Sequence, residues 1–139
     1  MDGQQTAAAM QRALDDAHVH TDEVEAINAH GSSTKIGDAA ETRAYAHVFG
    51  ERLASIPVCA TKGQHGHALG ATGAWEIGIA LLGMRDGVLP GAVNLDALDG
   101  TCCIDCKNDE RAVAPRVVLS NSSGFGGINA AVVLRRPGS

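Results

Sequence analysis

The chain has 139 residues, a formal net charge of −5, 45% apolar residues and only 3% aromatic residues. This length fits one domain that buries about 68% of the surface of its unfolded chain, with small aliphatic side chains filling the core. The negative charge disfavours a surface for nucleic acid or anionic membranes. No apolar run reaches the roughly 20 residues that cross a bilayer, and the polar start at Met1 does not resemble a signal peptide. We therefore expect a cytoplasmic protein.

Hydrophobic periodicity predicts three helices, over residues 4–18, 37–49 and 69–85. Asp2 can cap the first helix, Gly50 can end the second, and Gly87 can end the third. The third helix contains four glycines, each of which weakens an isolated helix by up to about 1 kcal/mol. Close approach of a sheet or another helix would compensate for this loss. We therefore expect the third helix to be the most buried of the three.

Apolar runs between these helices predict strands over residues 24–29 and 56–61, followed by two more over 116–121 and 128–134. Residues 88–95 are expected to be extended, and residues 96–114 to be polar and irregular. The resulting order, α-β-α-β-α-β-β-β, predicts an α/β fold with a mixed sheet covered by helices.

Two loops that follow predicted strands each contain a histidine in a setting typical of active sites. His30 lies in the loop 28–34, and His67 ends the loop 62–67. Open α/β folds place their chemistry at the carboxyl ends of strands, so the two imidazoles are expected to converge on one substrate atom. No residue in the sequence has the setting of the nucleophile that such a pair would serve.

The four cysteines are predicted to be ordinary reduced thiols. The pair Cys103-x-x-Cys106 lacks the second Cys/His pair of a structural zinc site and the strand-turn-helix setting of a redox pair. An alternative is a zinc site formed by His65, His67 and His30, but its supporting residues are not recognisable in the sequence. We predict no metal.

The glycine-rich segment 123–127 is not a dinucleotide-binding loop, because a predicted strand follows it rather than a helix. Glycines between two strands indicate a tight turn. A plain hairpin is one interpretation. The alternative is that Phe125, raised on flexible glycines, forms a pocket wall or gate.

Six motifs that recur in order resemble those of one enzyme family. They are His30-Gly-Ser-Ser-Thr34, Gly37-Asp38-x-x-Glu41, Lys62-x-x-x-Gly66-His67, Gly70-Ala-x-Gly-Ala-x-Glu76, Asn94-Leu-Asp96 and Asn121-Ser-x-Gly-Phe-Gly-Gly-x-Asn129. Together they resemble the C-terminal half of a β-ketoacyl-acyl-carrier-protein synthase of the elongating type, with a thiolase fold. The resemblance covers about residues 2–134, and it identifies residues 1–139 as a ketosynthase C-terminal domain.

The resemblance implies one half of a thiolase-like fold, a five-stranded mixed sheet covered by helices on both faces. The implied reaction is decarboxylative Claisen condensation of malonyl carrier protein with an acyl-enzyme, in fatty-acid or polyketide synthesis. Substrates would be carried on the phosphopantetheine of acyl carrier protein, with no other cofactor. The family's nucleophilic cysteine belongs to the N-terminal half, so this chain is expected to be inactive without that half. Its implied partners are that half, acyl carrier protein and further copies in a dimer or higher assembly.

The resemblance also implies roles for individual residues. His30 and His67 would be catalytic, donating N–H groups to the malonyl thioester oxygen. Lys62 would be the third catalytic residue and would help to organise the site, paired with Glu76. Phe125 would gate the acyl pocket. Asp38 and Glu41 match supporting positions, and the candidates for lining the pantetheine tunnel are Ser33, Thr34, Asn121, Ser122 and Gly126. The helix amino end and Lys62 are expected to keep the His67 imidazole neutral.

Three departures from the family pattern are Ser32, Gln64-His65 and Ser123. They indicate a relaxed pocket or an unusual substrate, and they remove no catalytic group of this half. The alternative to an enzyme half is a non-catalytic module that dimerises and docks carrier protein. A hydrolase lacks support, because the sequence shows no Ser-His-Asp arrangement.

Overall fold

The computed structural model describes residues 2–138, so the ends of the predicted domain, Met1 and Ser139, lie outside the described residues. The helices are α1 (Gln4–Asp16), α2 (Lys35–Phe49), α3 (Lys62–His65) and α4 (Thr72–Asp86). The strands are β1 (Ala26–Asn28), β2 (Pro57–Cys59), β3 (Asp105–Cys106), β4 (Val117–Ser123) and β5 (Asn129–Arg135). No helix within the described range combines the length and apolar character that crossing a membrane requires.

The five strands form one mixed sheet in the order β3-β2-β1-β4-β5. All neighbours are parallel except β4 and β5, which are antiparallel. In the centre of the sheet, Ile27 is in register with Val58 on one side and Leu119 on the other. The parallel strands β1 and β2 therefore end at the same edge, and the two histidine loops leave the sheet there. The predicted five-stranded mixed sheet is confirmed.

Alternate residues of the strands supply two separate hydrophobic clusters, because successive side chains point to opposite faces. On one face, Ile27 and Leu119 pack in a cluster with Met10 of α1 and Tyr45 of α2. On the other face, Ala26, Cys59 and Val118 pack with Ala80 and Met84 of α4. Helices thus cover both faces, as predicted.

Helix α4 is not the most buried helix of this chain, and that prediction is wrong. Its buried side chains are spaced one per turn, at Thr72, Glu76, Ala80 and Met84. The opposite side is open, with Trp75 and Leu82 each 51% exposed and Leu81 49% exposed. Only the sheet side of the helix is covered within this chain. Helix α2 has six buried residues, and it packs beside α1 on the other face of the sheet.

The segment 88–95 does not form the predicted strand. Only Leu89 pairs, in an isolated antiparallel bridge with Arg111. Pro90 follows it and has no N–H with which to continue a ladder. The sheet instead obtains its remaining strand, β3, from residues 96–114, which were predicted to be irregular. Gly91 is buried so close to the backbone of Asn108 that a Cβ atom would lie 2.1 Å from its carbonyl oxygen.

The remaining differences concern the start of α4 and the loop before it. Residues 62–65 form the short helix α3, which the sequence did not predict. Residues 69–71 form a 3₁₀ turn rather than the first α-helical turn, and Leu69 has a positive φ of 49°. Helices α2 and α4 end at Gly50 and Gly87 as predicted, and the Asp2 carboxylate accepts a hydrogen bond from the Gln4 N–H at 3.1 Å.

The glycine-rich segment joins β4 and β5 in a hairpin, so the hairpin interpretation is confirmed. The Gly124 N–H donates to the Ile128 carbonyl at 2.7 Å, which closes the turn. Gly126 has a positive φ of 75°, a backbone conformation that residues other than glycine rarely adopt. Phe125 at the tip is 91% exposed. Its role as a gate stays a prediction.

Candidate active site

The two predicted histidines meet at the carboxyl edge of the sheet. His30 follows β1, and His67 follows β2 and the short helix α3. Their ring centroids lie 5.4 Å apart, and the rings meet edge to face at 76°. One small ligand group between them could contact both imidazoles.

The hydrogen bonds of His67 define its tautomer. The Leu69 backbone N–H donates to His67 Nδ1 at 3.1 Å. Since a backbone N–H can only donate, Nδ1 carries a lone pair, and the ring is neutral with its proton on Nε2. The Thr72 hydroxyl also bonds Nδ1, at 3.0 Å, and holds the ring from the start of α4. In this tautomer, Nε2–H of His67 is a hydrogen-bond donor.

His30 is also held neutral near pH 7, for a different reason. The ring is 9% exposed, and burial lowers its pKa, with further lowering by the Lys62 ammonium and opposition from the Glu41 carboxylate. Its Nδ1 is buried without a hydrogen-bond partner in the part of the chain that the structure describes. A ligand contact therefore falls to its Nε2 atom.

The loop that presents His30 is fixed by carboxylates of α2. Glu41 accepts hydrogen bonds from the His30 N–H at 2.7 Å and from the Gly31 N–H at 3.0 Å. Asp38 accepts one from the Ser33 N–H at 3.1 Å. Burial raises the pKa of Asp38, and Glu41 adds to that effect. Gly31 and Ser33 both have positive φ, at 48° and 60°, so these contacts hold a backbone that would otherwise relax.

Lys62 and Glu76 form a buried ion pair beside the histidines. Their side chains are 7% and 0% exposed, and the Lys62 ammonium also donates to the His30 carbonyl oxygen. Burial raises the pKa of Glu76, while the hydrogen bond from Lys62 opposes this effect. The pair therefore connects the β2 loop and α4 to the His30 loop. It is the pair that the sequence predicted, and the organising role of Lys62 stays a prediction.

The candidate tunnel residues do not form one group. Ser33, Thr34 and Gly126 are exposed, and Ser122 is half-buried. Asn121 is buried, and its side-chain N–H donates to Glu41 at 2.8 Å. The structure thus brings together His30, His67, Lys62, Glu76, Asp38 and Glu41, whereas Phe125 and Gly126 lie in the exposed β4–β5 turn.

Three buried polar residues of the site were missed in the sequence: Tyr45, Thr72 and Asn28. Tyr45 donates towards Glu41, and Asn28 donates to the Glu76 carbonyl at 3.0 Å. Tyr45 follows Glu41 by four residues on one helix, a spacing that places both side chains on the same face. The sequence therefore contained a signal that Tyr45 lies next to Glu41. No spacing rule relates Thr72 to His67 or Asn28 to α4.

The structure assigns no reactive thiol to this site. All four cysteines are free, and burial raises the pKa of Cys59 to about 12, which keeps that thiol protonated. Among residues 2–138, no group of three or more His, Cys, Asp or Glu side chains is placed to hold a metal ion. The chemistry available is hydrogen-bond donation from neutral imidazoles beside a buried ion pair.

Comparison with known proteins places this geometry in a family. Residues 1–96 match the family model for the beta-ketoacyl synthase C-terminal domain. The tetracenomycin polyketide synthase ketoacyl synthase alpha subunit of Streptomyces glaucescens is 40% identical over 137 residues, which cover 98% of this chain and 32% of the relative. The 3-oxoacyl-acyl-carrier-protein synthase 2 of Coxiella burnetii is 41% identical over 128 residues, covering 91% of this chain and 31% of the relative.

A solved structure of a type II polyketide synthase acyl carrier protein in complex with its ketosynthase, bound to the hexaketide, superposes with a TM-score of 0.93. It is 34% identical in sequence, and the match covers 96% of this chain and 33% of that chain. The chain thus spans about a third of the length of the relatives that it matches. In sequence and in fold, it belongs to the beta-ketoacyl synthases and corresponds to their C-terminal domain.

Proposed function

We propose that this chain supplies the oxyanion-stabilising part of a β-ketoacyl-acyl-carrier-protein synthase. The observation that carries the proposal is the convergence of the His30 and His67 rings at 5.4 Å. Each preorganised neutral donor aimed at a developing oxyanion lowers the activation free energy by about 3–4 kcal/mol. The proposed substrate is a malonyl group held as a thioester on the phosphopantetheine of acyl carrier protein.

In the proposed reaction, the bond between the malonyl carboxylate and its α-carbon breaks, and carbon dioxide leaves. The electron pair moves into the thioester, and negative charge develops on the carbonyl oxygen. N–H groups of His30 and His67 donate to that oxygen. The enolate carbon then attacks the acyl carbon of a cysteine thioester, and the cysteine leaves as a thiolate. Both imidazoles need to be neutral, because each keeps its proton and only donates a hydrogen bond.

The acyl-carrying cysteine would come from the N-terminal half of the synthase. No cysteine here suits that role, and the buried Cys59 stays protonated. The open side of α4, which exposes Trp75, Leu81 and Leu82, is the surface that this half would cover. Burial of such side chains is worth about 1.5–3 kcal/mol each.

In this proposal, Lys62 and Glu76 hold the two histidine loops together rather than react. The Lys62 ammonium contacts both the Glu76 carboxylate and the His30 carbonyl. Its positive charge also favours the neutral form of His30. Phe125 and the tunnel candidates Ser33, Thr34, Ser122 and Gly126 keep their proposed substrate-facing roles.

Co-expression with the N-terminal half of a related synthase tests the function. We expect the complex to release carbon dioxide from malonyl carrier protein and to form a ketoacyl product, and this chain alone to do neither. His30→Ala and His67→Ala should each lower kcat for decarboxylation by about 10²–10³-fold. His47→Ala, which removes an exposed histidine of α2, is the matched control.

Product formation by the chain alone would contradict the division of the site between two halves. The non-catalytic alternative predicts a stable complex that binds acyl carrier protein but has the same negligible decarboxylation with and without the histidine substitutions. Decarboxylation that depends on His30 and His67, and not on His47, would exclude that alternative.

A further inference from the structure

A buried polar cluster adjoins the His30 loop and consists of Glu41, Tyr45 and Asn121. The Tyr45 hydroxyl lies 2.7 Å from Glu41 Oε1 and 2.7 Å from Asn121 Oδ1. The Asn121 side-chain N–H donates to the same Glu41 oxygen at 2.8 Å. Tyr45 and Asn121 are each 1% exposed. Three side chains from α2 and β4 thus meet with almost no solvent between them.

Glu41 connects this cluster to the His30 loop. Its Oε1 atom accepts the His30 backbone N–H, and its Oε2 atom accepts the Gly31 N–H. Tyr45 and Asn121 therefore bond the same carboxylate that accepts the backbone N–H groups of the His30 loop. A glutamate side chain has three rotatable bonds, so without such support it could adopt other rotamers.

We propose that the Tyr45 hydroxyl is a positioning residue for His30, acting through Glu41 and Asn121. The inference rests on the proposed function, because it assigns Tyr45 to the orientation of a catalytic imidazole. Gly31 and Ser33 follow His30 in the same loop and have positive φ, so the backbone at His30 depends on its hydrogen bonds to stay in place. A small shift of the His30 ring would misalign its donor with the thioester oxygen.

The hydroxyl, rather than the bulk of the ring, is the informative part of Tyr45. A phenylalanine would fill the same volume in the cluster formed with Met10 and Leu14. Burial of a tyrosine hydroxyl costs free energy unless it finds a partner, and here its one proton has two acceptor oxygens within reach, on Glu41 and Asn121. Burial raises the pKa of Tyr45 well above its usual range, with Glu41 adding to the effect, so the hydroxyl remains a donor.

Tyr45→Phe tests the proposal with two independent readouts. The first is amide hydrogen exchange of His30 and Gly31 in the 139-residue chain, measured relative to Leu119 in the centre of β4. We expect the two loop amides to exchange about tenfold faster relative to Leu119, since the substitution removes one hydrogen bond to the carboxylate that holds them. The second is decarboxylation by the complex with the N-terminal half, where kcat should fall about tenfold with KM within about twofold.

Phe49→Leu is the matched control, because Phe49 is buried one turn further along α2 and has no polar group with which to bond Glu41. It should lower global stability without changing the exchange of His30 and Gly31 relative to Leu119. The proposal is overturned if Tyr45→Phe leaves that ratio unchanged, or if Phe49→Leu changes it equally. An inactive wild-type complex would overturn the proposed function, and the exchange ratio would still decide whether Tyr45 supports the His30 loop.

Discussion

Burial and the Lys62 ammonium lower the pKa of His30, and the Glu41 carboxylate only partly offsets them. In the unfolded chain, the same imidazole titrates at about 6.5. Between these two pKa values, the unfolded state binds more protons than the folded state. The free energy of unfolding therefore rises with pH in this window. The contribution of His30 to stability is lost as pH falls from about 6.5 towards the pKa of His30 in the folded protein.

His30→Gln should reduce this pH dependence, because glutamine does not titrate. We expect wild-type protein to lose more stability than the variant between about pH 7.5 and about pH 5. Urea unfolding at both pH values measures the difference, and His47→Gln is the control for an exposed histidine. Equal losses in wild type and His30→Gln would show that His30 is not buried as a neutral group.

At the scale of single residues, the sequence predicted the candidate site residues better than the residues that support them. His30, His67 and Lys62 are recognisable because each stands in a short motif after a strand. Thr72, which bonds His67, and Asn121, which bonds Glu41, meet these partners only after folding. Asn121, for example, lies 80 positions from Glu41 in the chain, and no local pattern relates the two.

Helix α4 is attached to the carboxyl edge of the parallel strands by polar contacts as well as by packing. Glu76 pairs with Lys62, and the Glu76 carbonyl accepts a hydrogen bond from Asn28 of β1. Breaking a buried ion pair leaves one uncompensated charge, which costs about 3–5 kcal/mol. Replacing both partners by apolar residues removes that penalty.

Lys62→Met and Glu76→Leu should therefore each destabilise the protein more than the double variant does. Urea unfolding of the four proteins gives the coupling energy, which we expect to be favourable to the pair and above about 1 kcal/mol. Asp86→Asn is the control, because the Arg85–Asp86 pair is open to solvent and screened. Additive losses in the double variant would contradict the contact between Lys62 and Glu76.

Among the elements, those with strong periodicity were predicted well and those fixed by tertiary contacts were not. The helices α1 and α2 and the hairpin strands follow their local patterns. Strand β3 has only two residues, and pairing with Pro57 and Val58 of β2 defines it. The burial of α4 was misjudged for a related reason, since its apolar and glycine-rich sequence suits more neighbours than this chain provides.

The whole molecule is asymmetric about its sheet. One face carries two helices over a continuous core, and the other carries α4 alone, with an open apolar side. Trp75, Gly78 and Leu82 lie on one stripe of that side, because their spacings of three and seven residues return to the same face of a helix. A Cβ atom at Gly78 would meet nothing within 4 Å among residues 2–138, so the described part of the chain does not explain its lack of a side chain.

Gly78→Ala should have opposite effects on the stability of the chain alone and on its binding to the N-terminal half. Alone, the variant should be more stable by about 0.5–1 kcal/mol, because alanine favours a helix interior over glycine. With the N-terminal half present, the added methyl group should weaken the complex, since the proposed partner would approach the helix where Gly78 leaves room. Trp75 is the single tryptophan of the chain, so a blue shift of its fluorescence on titration with that half measures the affinity. Gly70→Ala, also in open space but outside α4, is the control. Unchanged affinity of Gly78→Ala, or a Trp75 emission that stays at its solvent-exposed wavelength, would show that the partner does not cover this side of α4.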